Sequence, residues 1–317
     1  MTDHSRLALV GAFGATYISL AIADIDELTV SNFALLNSAD FEMPMDAVTR
    51  YLKSVPAWPN KASFAFTGDL ADETAHVEAR GWTISKNDLR VATHASNVLM
   101  SRDIEALARM LPHLAPHDLI AVDKGTPSKH GTRLVVNSGA ALGVAALVHG
   151  SGEWVPVAGY AGETSLRDNV LGSMQGELLS GRGLIALYQH IAAEKKVGAK
   201  LHGARAIAAG GLAGEDEAAA EAVRVMAVHL AQFTADMALT FGARGGIFLA
   251  GGLAANILPP AAKTVFGAEL TARIAPRLGD VPVHIIKTGA DAVIRGCALA
   301  MGQAAEVTTR QRRTLAS

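Results

Sequence analysis

The chain has 317 residues, of which 50% are hydrophobic and 18% charged, and its formal net charge at pH 7 is −2. This composition excludes an intrinsically disordered chain and the strongly basic surface typical of nucleic-acid-binding proteins, and the length predicts two domains. The single cysteine, Cys297, excludes an internal disulfide framework and a zinc site of several cysteines, and it is typical of a reducing cytoplasm.

Targeting and membrane signals are not visible in the sequence. Residues 1–6 are polar, and the two most apolar stretches, 138–149 and 245–260, are shorter than the roughly 18–20 residues that span a bilayer. We therefore expect a cytoplasmic protein without a membrane or nucleic-acid partner.

The first half of the chain opens with a predicted hairpin. An apolar strand over 6–12 and an alternating strand over 17–25 flank a turn of small residues. A helix is predicted over 46–54, and a strand over 62–66 that ends in Thr67, Gly68 and Asp69. Residues 101–111 are predicted to form an amphipathic helix with Ser101 as its N-cap, before Pro112 and Pro116 mark a domain boundary.

The second half repeats the opening pattern. Residues 133–148 again run Arg-Leu, apolar, small-residue turn, apolar, about 127 residues after the first hairpin, which suggests two domains on one plan. Further predicted elements are a helix over 219–242, strands over 246–250 and 282–287, and a helix over 289–303. Alternating strands and helices indicate an α/β protein. The polar tail, 304–317, is expected to be frayed or docked.

Three turns of small residues are candidates for phosphate binding. They are Gly14–Thr16, Gly139–Gly143 and Gly251–Gly252. A turn without bulky side chains lets backbone N–H groups approach a phosphate, although tight packing also explains each turn taken singly.

Four segments resemble motifs of the bacterial glucokinases. The chain reads VGAFGATY at Val10–Tyr17, NSGAALGVA at Asn137–Ala145, LSGRGL at Leu179–Leu184 and GGIFLAGG at Gly245–Gly252, in the order of that family. The resemblance runs from residue 7 to about residue 300.

The resemblance implies a fold of two RNase-H-like domains of the actin and hexokinase type, flanking a cleft. It places a small α/β domain at 1–115, with 303–317 packing back on it, and a large α/β domain at 116–302. It also implies ATP and Mg²⁺ as cofactors, a small-molecule sugar or nucleotide ligand, and a homodimer. Gly14, Thr16, Gly139, Gly143, Gly251 and Gly252 would bind the nucleotide.

The candidate general base is Asp103. The run Arg102 to Ala108 resembles the family phrase whose aspartate accepts the proton of the sugar hydroxyl, and Pro112 falls where the family has a proline. The alternative role is a first-turn aspartate favoured by the helix dipole. Arg102 replaces a family asparagine, and a neighbouring cation is expected to lower the pKa of Asp103 and weaken it as a base.

Several other family contacts are replaced. The aspartate that organises magnesium corresponds to Ala12, its neighbouring asparagine to Tyr17, and the threonine of the second motif to Ala140. Sugar-binding positions correspond to Tyr160, Glu163, Gly176 (beside Glu177) and Ala79. Arg102, Tyr160, Glu163 and Glu177 are therefore candidate substrate residues, which either recognise a different ligand or fill space.

Other polar residues have simpler explanations. His113 and His117 have the spacing of a zinc pair beside Asp118, but Pro112 and Pro116 disfavour the regular helix such a pair needs, so a surface loop is expected. His190 and His202 are expected at the surface or at helix ends. Asp69 either lines the cleft or caps a turn.

Three functions follow from this reading. The chain is a glucokinase-type enzyme that phosphorylates glucose or a hexose with Asp103 as base, a non-catalytic sensor that retains the ligand site, or a kinase of another small substrate. A sugar-responsive repressor is not expected, because no DNA-binding segment precedes the first hairpin.

Overall fold

The computed structural model describes residues 6–56, 58–139, 141–165, 174–261, 265–287 and 289–315. The strands are β1 Leu7–Phe13, β2 Tyr17–Asp24, β3 Val30–Asn37, β4 Lys61–Phe66, β5 Asp69–Ala71, β6 Thr74–Val77, β7 Trp82–Ser85, β8 Asn97–Arg102, β9 Leu119–Asp123, β10 Arg133–Ser138, β11 Leu142–Gly150, β12 Glu153–Gly159, β13 Gly246–Ala250 and β14 Val283–Ile286. The helices are α1 Pro44–Ser54, α2 Lys86–Thr93, α3 Asp103–Met110, α4 Gln175–Leu178, α5 Gly181–Glu194, α6 Ala204–Ala213, α7 Glu217–Phe241, α8 Gly252–Ala261, α9 Gly267–Leu278 and α10 Gly289–Leu315.

These elements form two compact units. In the described part of the chain, unit 1 comprises the residues up to Pro112 together with those from Ala290 onward, and unit 2 comprises His113–Gly289. Residues 290–302, which the sequence analysis assigns to the large domain, thus belong to unit 1.

The main sheet of unit 1 has the order β3-β2-β1-β4-β8. Strands β1 and β2 form an antiparallel hairpin, whereas β4 pairs in parallel with β1 and with β8. Strand β1 is apolar throughout because both faces of the sheet are covered. Leu9 and Phe13 pack in the cluster that includes α1 and α2, and Ala8 and Val10 pack in the cluster that includes α3 and α10.

Aromatic rings fix the face covered by α1 and α2. Phe13 stacks on Phe66 at 5.2 Å between ring centroids and meets Phe64 edge-on at 5.7 Å. The strands β5, β6 and β7 form a separate antiparallel sheet in the same unit.

Unit 2 repeats the plan of unit 1. Its sheet has the order β12-β11-β10-β13-β14-β9, again with an antiparallel hairpin (β10 and β11) whose first strand pairs in parallel with the next strand across (β13). The predicted repeat of the two hairpins is therefore confirmed as a shared strand order, and so is the α/β class. The core is rich in alanine along α7, with Tyr188 and Phe266 as its largest fully buried side chains.

The predicted strands and the Ala-rich helix are confirmed within one or two residues at most bounds, but two expectations are wrong. Ser101 is not the N-cap of a helix: it lies in β8, paired with Ala65, and Arg102 is the N-cap of a helix that begins at Asp103. The last helix does not end at residue 303 as predicted, because the backbone of α10 continues to Leu315. Among the described residues, no helix has the length and apolar character to cross a membrane.

Candidate active site

The carboxyl ends of three strands place the candidate base in unit 1. Phe66 is the register partner of Phe13 on one side and of Arg102 on the other. The next residue of each parallel strand is therefore Gly14, Thr67 and Asp103, in one row across the ends of β1, β4 and β8. Loops at this edge of parallel strands are where α/β proteins bind ligands.

Asp103 is held by two hydrogen bonds. Thr67 Oγ1 donates to Asp103 Oδ2 at 2.7 Å, and the Ile104 backbone N–H donates to Oδ1 at 2.7 Å. Asp103 is also the first residue of α3, where the helix dipole favours a negative charge. Its side chain is only partly exposed. An ionised carboxylate has about four acceptor positions, so it retains capacity to accept a proton from a bound hydroxyl.

The expected effect of Arg102 is confirmed in direction, since its charge lowers the pKa of this carboxyl, but burial has the larger effect. Loss of hydration on burial raises the pKa of Asp103 above its usual value. The hydrogen bonds from Thr67 and Ile104 and the charge of Arg102 oppose that rise without cancelling it. The group is therefore a stronger base than an exposed aspartate, and Arg102 moderates it.

The first small-residue turn begins at Gly14, in the same row as Thr67 and Asp103. Gly14 N–H donates to Tyr17 O at 3.0 Å, and Ser38 fastens the turn by donating its hydroxyl to Gly14 O (2.9 Å) and its N–H to Thr16 O (2.9 Å). Thr16 and Tyr17 are exposed. Ala12 is half-buried in β1 and presents no polar group.

The other two small-residue turns meet each other in unit 2. A Cβ atom on Gly139 would lie 3.8 Å from both Gly251 Cα and Gly252 N. Gly251 has a φ of +93°, and a Cβ atom there would lie 2.6 Å from Asn137 Oδ1. Gly252 begins α8. Unpaired N–H groups at a helix N-terminus, approached by a bare backbone, form a ready anion site.

The Leu179–Leu184 segment closes this arrangement from another side. Ser138 Oγ donates to Leu179 O at 2.9 Å, and Gly181 N–H donates to Gly139 O at 3.0 Å. Ser180 caps α5 by accepting from Gly183 N–H. The structure thus brings together the motifs around residues 139, 180 and 251. Gly143 lies in β11 opposite Asn137, and Ala140 lies outside the described residues.

The candidate substrate residues of unit 2 lie on two adjoining segments. Tyr160 and Glu163 are exposed and stand at either end of one turn, in which Glu163 N–H donates to Tyr160 O at 2.9 Å. Gly176 on α4 meets this turn, since its Cβ would lie 3.1 Å from Gly162 O. Glu177 is exposed and accepts a hydrogen bond from Met174 N–H at 3.2 Å, which caps its own helix.

The simpler explanations hold for most other polar residues. His113 and His117 lie in two short 3-10 turns rather than an α-helix, and His117 is exposed. Asp69 Oδ1 accepts from Leu70 N–H at 2.8 Å, as a turn-capping aspartate does. Ala79 lies in a short 3-10 turn. Within the ranges that the structure describes, no group of three or more His, Cys, Asp or Glu side chains is placed to hold a metal ion.

Thr67 is the functional candidate that the sequence analysis did not single out. Its position directly after a buried strand was the available signal, because parallel register carries that residue to the same edge as Asp103. Only the pairing of β4 with β8 shows that the two side chains meet.

Comparisons with known proteins agree with this architecture. The family model for glucokinase matches residues 9–304. The glucokinase of Rhizobium meliloti (strain 1021) is 31% identical over 275 residues, which cover 82% of this chain and 81% of the relative.

Solved structures show the fold. A glucokinase from an Antarctic psychrotroph has a TM-score of 0.80 at 22% identity, covering 94% of this chain and 99% of that one. A ROK family glucokinase from Streptomyces griseus, in complex with glucose and AMPPNP, has a TM-score of 0.69 at 17% identity, with coverage of 94% and 99%. Taken with the family model and the Rhizobium relative, these matches show that the chain belongs to the glucokinase family.

Proposed function

We propose that this protein is an ATP-dependent sugar kinase that phosphorylates glucose or another hexose at the 6-hydroxyl, with Asp103 as general base. The observation that carries the proposal is the Asp103 carboxylate, at the carboxyl end of β8 and the start of α3, with Thr67 and Ile104 as donors. Family membership and the neighbours crystallised with glucose or AMPPNP support the substrate class.

In phosphoryl transfer the protein mainly positions the reactants and stabilises charge, and it takes little part in the covalent chemistry. Asp103 accepts the proton of the attacking hydroxyl, and its raised pKa improves it as an acceptor near neutral pH. In unit 2, the backbone at Gly139 and Gly251 and the start of α8 fit the phosphates, since these positions have no side chain and Gly252 begins a helix. ATP, when bound, supplies the phosphoryl group.

The described residues do not fit a protein-built Mg²⁺ site. Mg²⁺ is usually held by one or two carboxylates together with substrate phosphates. Ala12, which has no ligand atom in its side chain, stands where the family has the aspartate that organises the metal. No step is therefore assigned to the metal.

The replaced sugar contacts support weak or redirected activity. Each unpaired buried polar group costs about 1–3 kcal/mol, so several lost partners weaken glucose binding strongly. A kinase of another small substrate is the second candidate, and the contact of Gly176 with Gly162 favours it. A glutamate at 176 would require the turn at Tyr160–Glu163 to shift by a few tenths of an ångström, because its Cβ would lie 3.1 Å from Gly162 O.

The deciding experiment is a coupled assay of ATP-dependent phosphorylation with a panel of hexoses at high enzyme concentration. The Asp103→Asn variant should lose about 10²–10⁴-fold in rate. Asp88→Asn is the matched control, since Asp88 is also a first-turn aspartate, in α2, and asparagine can replace it as an acceptor for Ser85.

The outcomes separate the candidates. Turnover of glucose that only Asp103→Asn loses supports the glucokinase, and turnover of another substrate alone supports the second candidate. A ligand-induced rise in melting temperature without turnover would instead support a non-catalytic regulator. A homodimer stays a prediction of the family resemblance, which light scattering in solution tests, and a cytoplasmic location stays a prediction of the cysteine content and the missing targeting signals.

A further inference from the structure

Thr67 contacts the candidate base directly. Its Oγ1 lies 2.7 Å from Asp103 Oδ2, within the range of a strong hydrogen bond to a charged acceptor. The two residues are 36 positions apart in the chain, so the contact depends on the pairing of β4 with β8 rather than on local sequence.

The backbone of Thr67 is fixed on both sides. Its N–H donates to Phe13 O at 3.0 Å, which extends the pairing of β4 with β1 by one residue. Gly68 follows with a φ of +131°, a backbone conformation that residues other than glycine rarely adopt. A Cβ atom at this position would collide with the backbone of His76. Threonine is β-branched and therefore stiff at χ1. The strand pairing and the turn at Gly68 therefore fix the direction in which the Thr67 hydroxyl points.

The hydrogen bond orients the carboxylate and leaves it usable. Thr67 engages Oδ2 and the Ile104 N–H engages Oδ1, so both oxygens are fixed in space and the plane of the group is set. A carboxylate that rotates freely spends less time in the geometry that accepts a proton from a bound hydroxyl, which weakens general-base catalysis.

Other charged groups surround Asp103 but do not take this role. Arg102 precedes it on β8, and Glu105 on α3 accepts from the Arg102 N–H at 2.9 Å. Arg109 on α3 donates a hydrogen bond to Gln303, and the buried Cys297 thiol on α10 has a pKa raised by burial to about 12, so it stays protonated. Burial raises the pKa of Asp103, and the Thr67 hydrogen bond is the largest opposing influence.

We propose that Thr67 is a positioning residue for Asp103, whose hydroxyl fixes the carboxylate and stabilises its ionised form for proton transfer. This inference rests on the proposed kinase function. It goes beyond that function by assigning a role to a residue outside the small-residue turns and the sugar contacts.

The test compares Thr67→Val, which removes the hydroxyl at nearly constant volume, with Thr67→Ser, which keeps it. Thr67→Val should lower kcat at pH 7 by about 10–100-fold, the value of a hydrogen bond to a charged group, while KM changes less than about threefold. The acid limb of its kcat–pH profile should move to higher pH. Thr67→Ser should stay within about threefold of the wild type, and Thr67→Ala replaces the valine variant if that one fails to fold.

A second readout does not depend on turnover. The Asp103 side-chain carbon, labelled with ¹³C and assigned by its absence in Asp103→Asn, reports the ionisation midpoint directly. The midpoint should rise in Thr67→Val and stay near the wild-type value in Thr67→Ser. Unchanged kcat and midpoint in a folded Thr67→Val would overturn the inference. If the wild type turns over no hexose, the kinase proposal fails, and the midpoint alone decides whether Thr67 controls Asp103.

Discussion

The packing of α10 on α3 predicts that Gly296→Ala destabilises the protein. A Cβ atom at this position would lie 2.6 Å from the carbonyl carbon of Ala106, and closer still to its oxygen. Cβ atoms essentially never approach a neighbour within 3.0 Å. The backbone of Ala106 lies within α3 and that of Gly296 within α10, so neither can move without displacing its helix. Gly296→Ala must therefore push α10 away from α3, the helix that begins at Asp103.

The size of the effect follows from two opposing contributions. Replacing glycine by alanine inside a helix gains about 0.8–1.0 kcal/mol. Overpacking a filled interior costs about 1–3 kcal/mol, and a backbone obstacle places this case at the upper end. The net loss is about 2 kcal/mol, which corresponds to a fall in melting temperature of about 4–8 °C.

Differential scanning calorimetry measures this change, with Gly302→Ala as the control. Gly302 lies in the same helix and gains the same helix propensity, but its Cβ would lie 3.1 Å from Ile25 O, which a shift of a few tenths of an ångström relieves. Gly296→Ala should melt well below this control. A Gly296→Ala protein as stable as Gly302→Ala would refute the described packing of α10 on α3.

Two further predictions concern the candidate site. Because burial raises the pKa of Asp103, the folded state binds the proton more tightly than the unfolded chain, and stability falls as pH rises from the unfolded pKa of about 3.9 through the folded one. Asp103→Asn should therefore raise the melting temperature at pH 7 and change it less at pH 4; an equal or opposite change would contradict the raised pKa. Gly251→Ala should destabilise the fold by about 1–3 kcal/mol through its φ of +93° and weaken ATP binding measured by calorimetry. Gly252→Ala, with only Asn256 Nδ2 at 4.0 Å, should keep its stability, and equal melting of the two variants would contradict this account.

Local patterns were sufficient for the elements whose burial is simple. Strands β1, β4 and β13 are buried along most of their length and are mainly apolar, and α7 is a long Ala-rich segment between Asp216 and Gly242. The strands β5, β6 and β7 were not predicted, because they are three or four residues long and mix polar with apolar side chains.

Long-range pairing explains what sequence could not provide. Ser101 before an acidic helix start looks like an N-cap, but pairing with Ala65 holds it in β8. The same pairing brings Thr67 to Asp103. The charge of Arg102 was visible in the sequence, whereas the burial that outweighs it was not. A helix over 289–303 was predicted, but not that residues 294–301 of it pack on the sheet of unit 1.

The split of unit 1 along the chain has a consequence for synthesis on the ribosome. The sheet face bearing Ala8, Val10 and Ala65 is covered by Ile294, Cys297 and Met301, which are translated almost 190 residues after Pro112. At a synthesis rate of about 5–20 residues per second, that face of the sheet stays without α10 for roughly 10–40 s. Unit 2 is completed before α10 is made, and we expect the nascent first unit to depend on chaperones until α10 emerges. Ribosome-stalled chains that end before residue 301 should therefore be more sensitive to protease in unit 1 than chains that end after it.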